Sequence, residues 1–196
     1  YIPIFRGFIT TRFTANPDDW RDHTVFHQNM ADIQSVEIDF NEDPQGSFRI
    51  ENMGKHQYKL TRLCDNQELP YDTLKVVNLL SSFGDLRFEA LFTNTMEKER
   101  MDSITSSPFV HYVVVTDKDG NKQDMRTFRK VVLNGVTDMG GEYGDVDRDR
   151  MYALIDGGKD FVLIQNYVFD KVLHDVRYFE AGHPIQYEMD YIEVLE

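Results

Sequence analysis

The chain of 196 residues has one cysteine, one tryptophan and no long apolar run. With Cys64 alone, no intrachain disulfide can form, so cysteine usage leaves both oxidising and reducing compartments open. Cys64 lies in Leu63-Cys64-Asp65-Asn66. No thiol-enzyme signature surrounds it, and a small half-buried side chain is expected there. No apolar stretch approaches the roughly 20 residues that span a bilayer, so direct membrane insertion by this fragment is not expected. The chain opens on Tyr1 without a basic, then apolar, leader, which reads as an excised piece of a longer product. Positive charge is also scarce. Against 34 acidic residues stand 21 basic ones, a net charge of −13. Such a surface repels phosphate backbones and anionic lipid, which disfavours nucleic-acid binding.

What the chain does have is core-forming material. Hydrophobic residues make up 41% and aromatics 13%, with 14 Phe and 10 Tyr. That is enough large apolar surface for an ordered core and argues against disorder.

The pattern predicts an α+β fold, with antiparallel meanders and hairpins packed with a few amphipathic helices. Residues 33–40, 47–51 and 57–63 read as a three-stranded meander, separated by turns at Asn41-Glu42-Asp43-Pro44-Gln45-Gly46 and Met53-Gly54-Lys55. A helix follows, with Asp72 as N-cap, Leu74, Val77 and Leu80 at three-residue spacing with Val76, Leu79 and Phe83 alongside, and Gly84 just beyond its end. Alternation over Leu86, Phe88, Ala90 and Phe92 predicts a single strand, and residues 97–103 a short polar helix. Residues 109–116 and 122–133 form a hairpin around Asp117-Lys118-Asp119-Gly120-Asn121, since Asp-Gly supplies the positive φ such turns need. Residues 134–149 read as a Gly- and Asp-rich loop. A second hairpin, 150–155 with 160–165, closes on Asp156-Gly157-Gly158-Lys159. Residues 167–179 carry helical spacing, and 185–191 alternate like an edge strand.

Tyr1-Ile2-Pro3-Ile4 followed by Phe8, Ile9 and Phe13 echoes Phe161-Val162-Leu163-Ile164 followed by Val168, Phe169 and Leu173. Residues 1–30 are therefore read as the end of a preceding unit or a connecting arm, 31–180 as the main domain and 181–196 as a tail.

Three constellations bear on chemistry. Asp145, Asp147 and Asp149 alternate as calcium loops do, and Asp156 falls at the twelfth position. Arg150 stands where that loop needs Gly, however, and 151–155 reads as a strand. A solvated loop whose acids pair with Arg148 and Arg150 is the favoured reading, with calcium ligation by Asp145, Asp147 and Asp149 as the alternative. Asp117, Asp119, Asn121 and Asp124 are explained by their hairpin without a metal. His23 and His27 would share a helical face, but they lack an intervening Glu and a third ligand. No nucleophile elbow or phosphate loop is present, and Gly140-Gly141 and Gly157-Gly158 read as turn glycines. Trp20 is read as a core or interface residue.

Several segments also resemble a known family. Ile4-Phe5-Arg6-Gly7-Phe8-Ile9-Thr10-Thr11-Arg12-Phe13 is similar to a hallmark stretch of Bacteroidetes proteins grouped as domain of unknown function 4340. So are Asp18-Asp19-Trp20-Arg21-Asp22-His23-Thr24-Val25-Phe26 and Asp147-Arg148-Asp149-Arg150-Met151-Tyr152-Ala153-Leu154-Ile155 with Lys159-Asp160-Phe161-Val162-Leu163. The resemblance covers most of 1–179. It implies an α+β fold and a longer parent with an N-terminal membrane anchor, its globular part on the outer, periplasmic side of the inner membrane. It brings no activity, cofactor or catalytic residue. The expectation is a non-catalytic extracytoplasmic binding or assembly module with a protein partner in the envelope. The alternatives are a calcium- or small-ligand-binding domain using 145–149, and an enzyme with a carboxylate-lined cleft.

Overall fold

The computed structural model describes residues 20–131 and 146–180. The strand and helix expected near the N-terminus, residues 134–145 of the expected 134–149 loop (Asp145 among them) and the alternating segment expected in the tail lie outside them.

Alternating apolar residues build one large sheet. The meander forms as expected: β2 (Ile33–Phe40), β3 (Phe48–Gly54) and β4 (Gln57–Arg62), with β1 (Thr24–Phe26) preceding it. Val36 faces Ile50, which faces Leu60, so one side of three strands becomes apolar by register alone. A short β5 (Gln67–Leu69) pairs with β4 and closes that edge.

Helix α1 (Thr73–Ser82) starts where the Asp72 carboxylate accepts from the backbone N–H of Leu74 and Lys75. Its inward stripe is Val76, Leu79 and Leu80, continued by Phe83 just past the helix. Of the 74-77-80 row expected from spacing, Leu80 joins the inner face and Val77 packs half-buried beside it, while Leu74 is 74% exposed. Each buried side chain of this stripe contributes about 2 kcal/mol of burial.

The segment after α1 is not one strand. It splits into β6 (Leu86–Arg87), which pairs with β1, and β7 (Ala90–Leu91), which pairs with β11 of the main sheet. Helix α2 (Lys98–Thr105) follows. β8 (His111–Asp117) and β9 (Lys122–Val131) form the expected hairpin, as do β10 (Val146–Ile155) and β11 (Asp160–Gln165). Residues 146–149, expected in a loop, already belong to β10. Residues 167–179 are not one helix either. A single turn, α3 (Asn166–Phe169), gives way to a 3-10 turn at Val176–Phe179, whose start is capped by the Asp175 carboxylate.

The nine strands run in the order β5-β4-β3-β2-β8-β9-β10-β11-β7, every pair antiparallel. This is the α+β architecture that the sequence predicts. One face carries the main core, where Ile38, Phe48, Leu60, Val113, Met125 and Ile164 meet α1 and the 176–179 turn. Among the described residues, the opposite face is covered over β9–β11 and β7, where Phe128, Tyr152, Phe161 and Leu163 lie beneath Met101 and Ile104 of α2. Residues 20–30 pack onto this body. Phe26 is fully buried against Phe83 at 5.3 Å, and the His23 ring stacks on Phe88 at 4.5 Å. With β1 between them, His23 and His27 do not share a helical face. Among the described residues, no helix is long and apolar enough to cross a membrane.

Candidate functional site

The acidic run that drew notice in the sequence opens β10, beside the end of β11 and the start of α3. These three pieces enclose a cleft of about 360 Å³, lined by Arg148, Asp149, Arg150, Gln165, Asn166, Tyr167 and Asp170. The two antiparallel strands fix its floor, since Arg150 is the register partner of Gln165. Tyr167 stands 77% exposed at the cleft.

The charges here are organised. Arg150 Nε donates to Glu89 Oε2 at 2.8 Å, reaching from β10 to the link between β6 and β7. That bond and one from Gln165 hold the Glu89 carboxyl below its usual range. Lys130 Nζ meets Asp147 Oδ2 at 2.5 Å, while Asp147 Oδ1 accepts from the backbone N–H of Asp149 at 2.9 Å and of Arg150 at 3.1 Å. Burial alone would push the Asp147 carboxyl up; the Lys130 ammonium and the two N–H groups outweigh it and hold it low. Asp170 shows the opposite balance, because partial burial pushes its carboxyl up against the opposing pull of His174. Asn166 Nδ2 donates to the Arg148 carbonyl at 2.5 Å. Its Oδ1 is buried and has no hydrogen-bond partner.

The residues singled out in the sequence are thus only partly brought together. Asp149 lines the cleft; Asp147 sits behind it, satisfied by Lys130 instead of Arg148 or Arg150; Asp145 lies outside the described residues. Among the described residues, no group of three or more His, Cys, Asp or Glu side chains is placed to hold a metal ion. In the 117–124 cluster, Asp117 accepts from the backbone N–H of Asp119 and Asn121 and from Asn121 Nδ2, and these bonds hold its carboxyl low. Asp124 accepts from Gly157 N–H at 2.8 Å and so ties one hairpin to the other. Cys64 is exposed in the turn after β4, where its thiol lies 3.3 Å from Gln45 Oε1; it is not the half-buried residue expected. Trp20 is 62% exposed and so is not part of the core.

Glu89, Asn166, Tyr167 and Asp170 were not foreseen. The one available signal was the polar run Gln165-Asn166-Tyr167 directly after the apolar strand 161–164.

Fold and cleft define an antiparallel α+β domain with a shallow, mixed-charge recess at one end of its sheet. Residues 7–103 match the family model described as Domain of unknown function (DUF4340), and carry such a domain. No curated protein and no solved structure matches the chain.

Proposed function

We propose that the chain is a non-catalytic binding or assembly module, carried on the extracytoplasmic side of a membrane by a longer, anchored protein. The observation that carries the binding part is Tyr167. It is a large ring, 77% exposed, beside a recess where Arg150 is held in an ion pair by Glu89. Exposed aromatic rings are what protein interfaces use as anchors.

Catalysis is less well supported by the same geometry. Thr127 Oγ1 lies 2.9 Å from His111 Nδ1, a hydroxyl–imidazole arrangement of the kind nucleophilic catalysis uses. Thr127 is fully buried within the sheet, where no substrate reaches it. The Cys64 thiol sits beside an amide oxygen instead of a base. The envelope placement rests on the resemblance of 4–13 and 147–163 to anchored Bacteroidetes proteins, and the DUF4340 match over 7–103 is compatible with it.

The test is chemical crosslinking in cells of the full-length protein, followed by affinity recovery and mass spectrometry. Reproducible recovery of one envelope complex is expected. Recovery of nothing above background, or of cytoplasmic proteins alone, contradicts the reading.

A further inference from the structure

We propose that the outer edge of β5, with the cleft beside it, is the docking site of residues 181–196 of this same chain, which close the sheet at that edge as β7 closes it at the other. The inference does not depend on the binding reading above.

It follows from a pseudo-two-fold symmetry of the sheet. The order β5-β4-β3-β2-β8-β9-β10-β11 consists of two four-stranded meanders joined through their first strands. β2 and β8 pair antiparallel, from Ile33 with Asp117 to Phe40 with His111, so a half-turn about an axis between them carries one meander onto the position of the other. Each meander is followed by helical turns on the same face of the sheet. These are α1 after β5 and the turns of 166–179 after β11, whose Val76, Leu79, Val172 and Phe179 share one core.

The symmetry extends to what comes next. After α1 the chain crosses to the outer edge of the other meander. There β7 pairs with β11, and the backbone N–H groups of Glu89 and Phe92 donate to the carbonyls of Leu163 and Phe161, both at 2.7 Å. After 166–179 the chain crosses the opposite way. The Phe179 carbonyl accepts from Asp72 N–H at 2.8 Å and the Glu180 carbonyl from Lys75 Nζ at 3.2 Å, which brings the chain to the junction of β5 and α1. Glu180 there lines a cleft of about 480 Å³ together with Leu69, Pro70 and Val176. Among the described residues, no strand pairs with the outer edge of β5. A sheet edge offers unpaired backbone N–H and C=O groups, which an extended segment satisfies by adding a strand.

Of the stretches outside the described residues, only 181–196 starts at this place. Residues 1–19 lead to Arg21, whose guanidinium pairs with Asp160 of β11 in the other meander, and 132–145 join β9 to β10. The sequence of the stretch also fits an edge position, since Ile185, Tyr187, Met189 and Tyr191 alternate with Gln186, Glu188 and Asp190. Leu69 is the register partner of Leu60, which is fully buried, so the side of β5 that carries Leu69 is the core side. A strand added here sets its apolar row on that side, beside Leu69 and Val176, and its acids toward solvent.

The test is amide hydrogen exchange on the isotopically labelled full chain, with cross-strand nuclear Overhauser contacts read on the same sample. Contacts between 67–69 and 185–191 are expected, with protection at 67–69 that does not change with protein concentration. Tyr187→Asp, in the apolar row, should speed exchange at 67–69 at least about tenfold, and Glu188→Ala, in the polar row, less than about twofold. Exchange at 160–165, the edge that β7 closes, should match the parent in both variants. The proposal is overturned if no contact joins 67–69 to 181–196, or if Tyr187→Asp leaves exchange at 67–69 unchanged. Equal acceleration at 67–69 and 160–165 overturns it too, because the effect is then global. Protection at 67–69 that grows with protein concentration assigns the edge to a second copy of the chain and likewise overturns it. None of these outcomes bears on the crosslinking test of the assembly reading.

Discussion

At the scale of single residues, burial decides behaviour that charge and spacing leave open. His111 begins β8 with its ring edge-on to Phe40 and its Nδ1 on a buried hydroxyl. Burial pushes its imidazole down to about 4, with Glu42 opposing and Arg129 reinforcing that shift. An unfolded histidine titrates near 6.5, so between about pH 6.5 and 4 the unfolded chain binds the proton that the folded chain refuses. Stability therefore falls as pH drops through that window, by up to about 3 kcal/mol, and levels off below it. His111→Gln should flatten this slope in urea melts between pH 4 and 6.5; an unchanged slope would remove His111 as its source. Nothing in Val110-His111-Tyr112 announces this, because the burial comes from Phe40, seventy residues earlier in the chain, and from Thr127 across the hairpin.

At the scale of elements, what is local was legible and what is relational was not. Asp117-Lys118-Asp119-Gly120-Asn121 and Asp156-Gly157-Gly158-Lys159 dictate their own turns, and the structure puts Gly120, Gly157 and Gly158 at positive φ as those turns require. Asp72 marks the start of α1 for the same reason. The 86–92 segment misled because alternation reports burial of alternate residues, not which partner strand pairs with them. Leu86 and Arg87 pair with β1, and Ala90 and Leu91 with β11, so the chain changes sheets between them. The 167–179 segment misled in a related way. Phe169, Val172 and Val176 do point inward, but two short turns laid across the sheet produce that spacing as well as a helix does, and Asp175 is extended at the break. The cleft was illegible because Asp149 and Tyr167 meet only through the β10–β11 register.

One element carries a measurable cost. The β3–β4 hairpin turns on Lys55 and His56, with φ of 52° and 58°, a left-handed pair that favours Asn-Gly. Each such residue costs about 1 kcal/mol relative to Gly or Asn. Replacing Lys55 and His56 by Asn and Gly should stabilise the domain by about 1–2 kcal/mol and raise Tm by several degrees in calorimetry. An unchanged or lowered Tm would show the turn to be unstrained.

At the scale of the whole molecule, the descent from α3 to Phe179 holds the last described segment against the sheet. Phe179 is fully buried, 4.9 Å from Phe48, and its carbonyl accepts from Asp72 N–H at the start of α1. Lys75, 4% exposed, donates to the Glu180 carbonyl one turn further along the helix. One contact set thus joins β3, α1 and the last described segment. Phe179→Ala should cost about 3–5 kcal/mol in denaturant unfolding, against less than about 0.5 kcal/mol for Leu74→Ala at an exposed position. Comparable losses at the two sites would contradict the division between core and surface described above.

The claim that this domain works by holding a partner is tested most directly by site-specific photo-crosslinking in living cells. A photoreactive phenylalanine analogue replaces Tyr167, Leu74 or Met53 in turn, all exposed apolar positions on different elements. A single discrete adduct from position 167, identified as an envelope protein and absent from the other two positions, is the predicted result. No adduct from any of the three, or the same smear from all, would contradict a dedicated binding surface at the cleft.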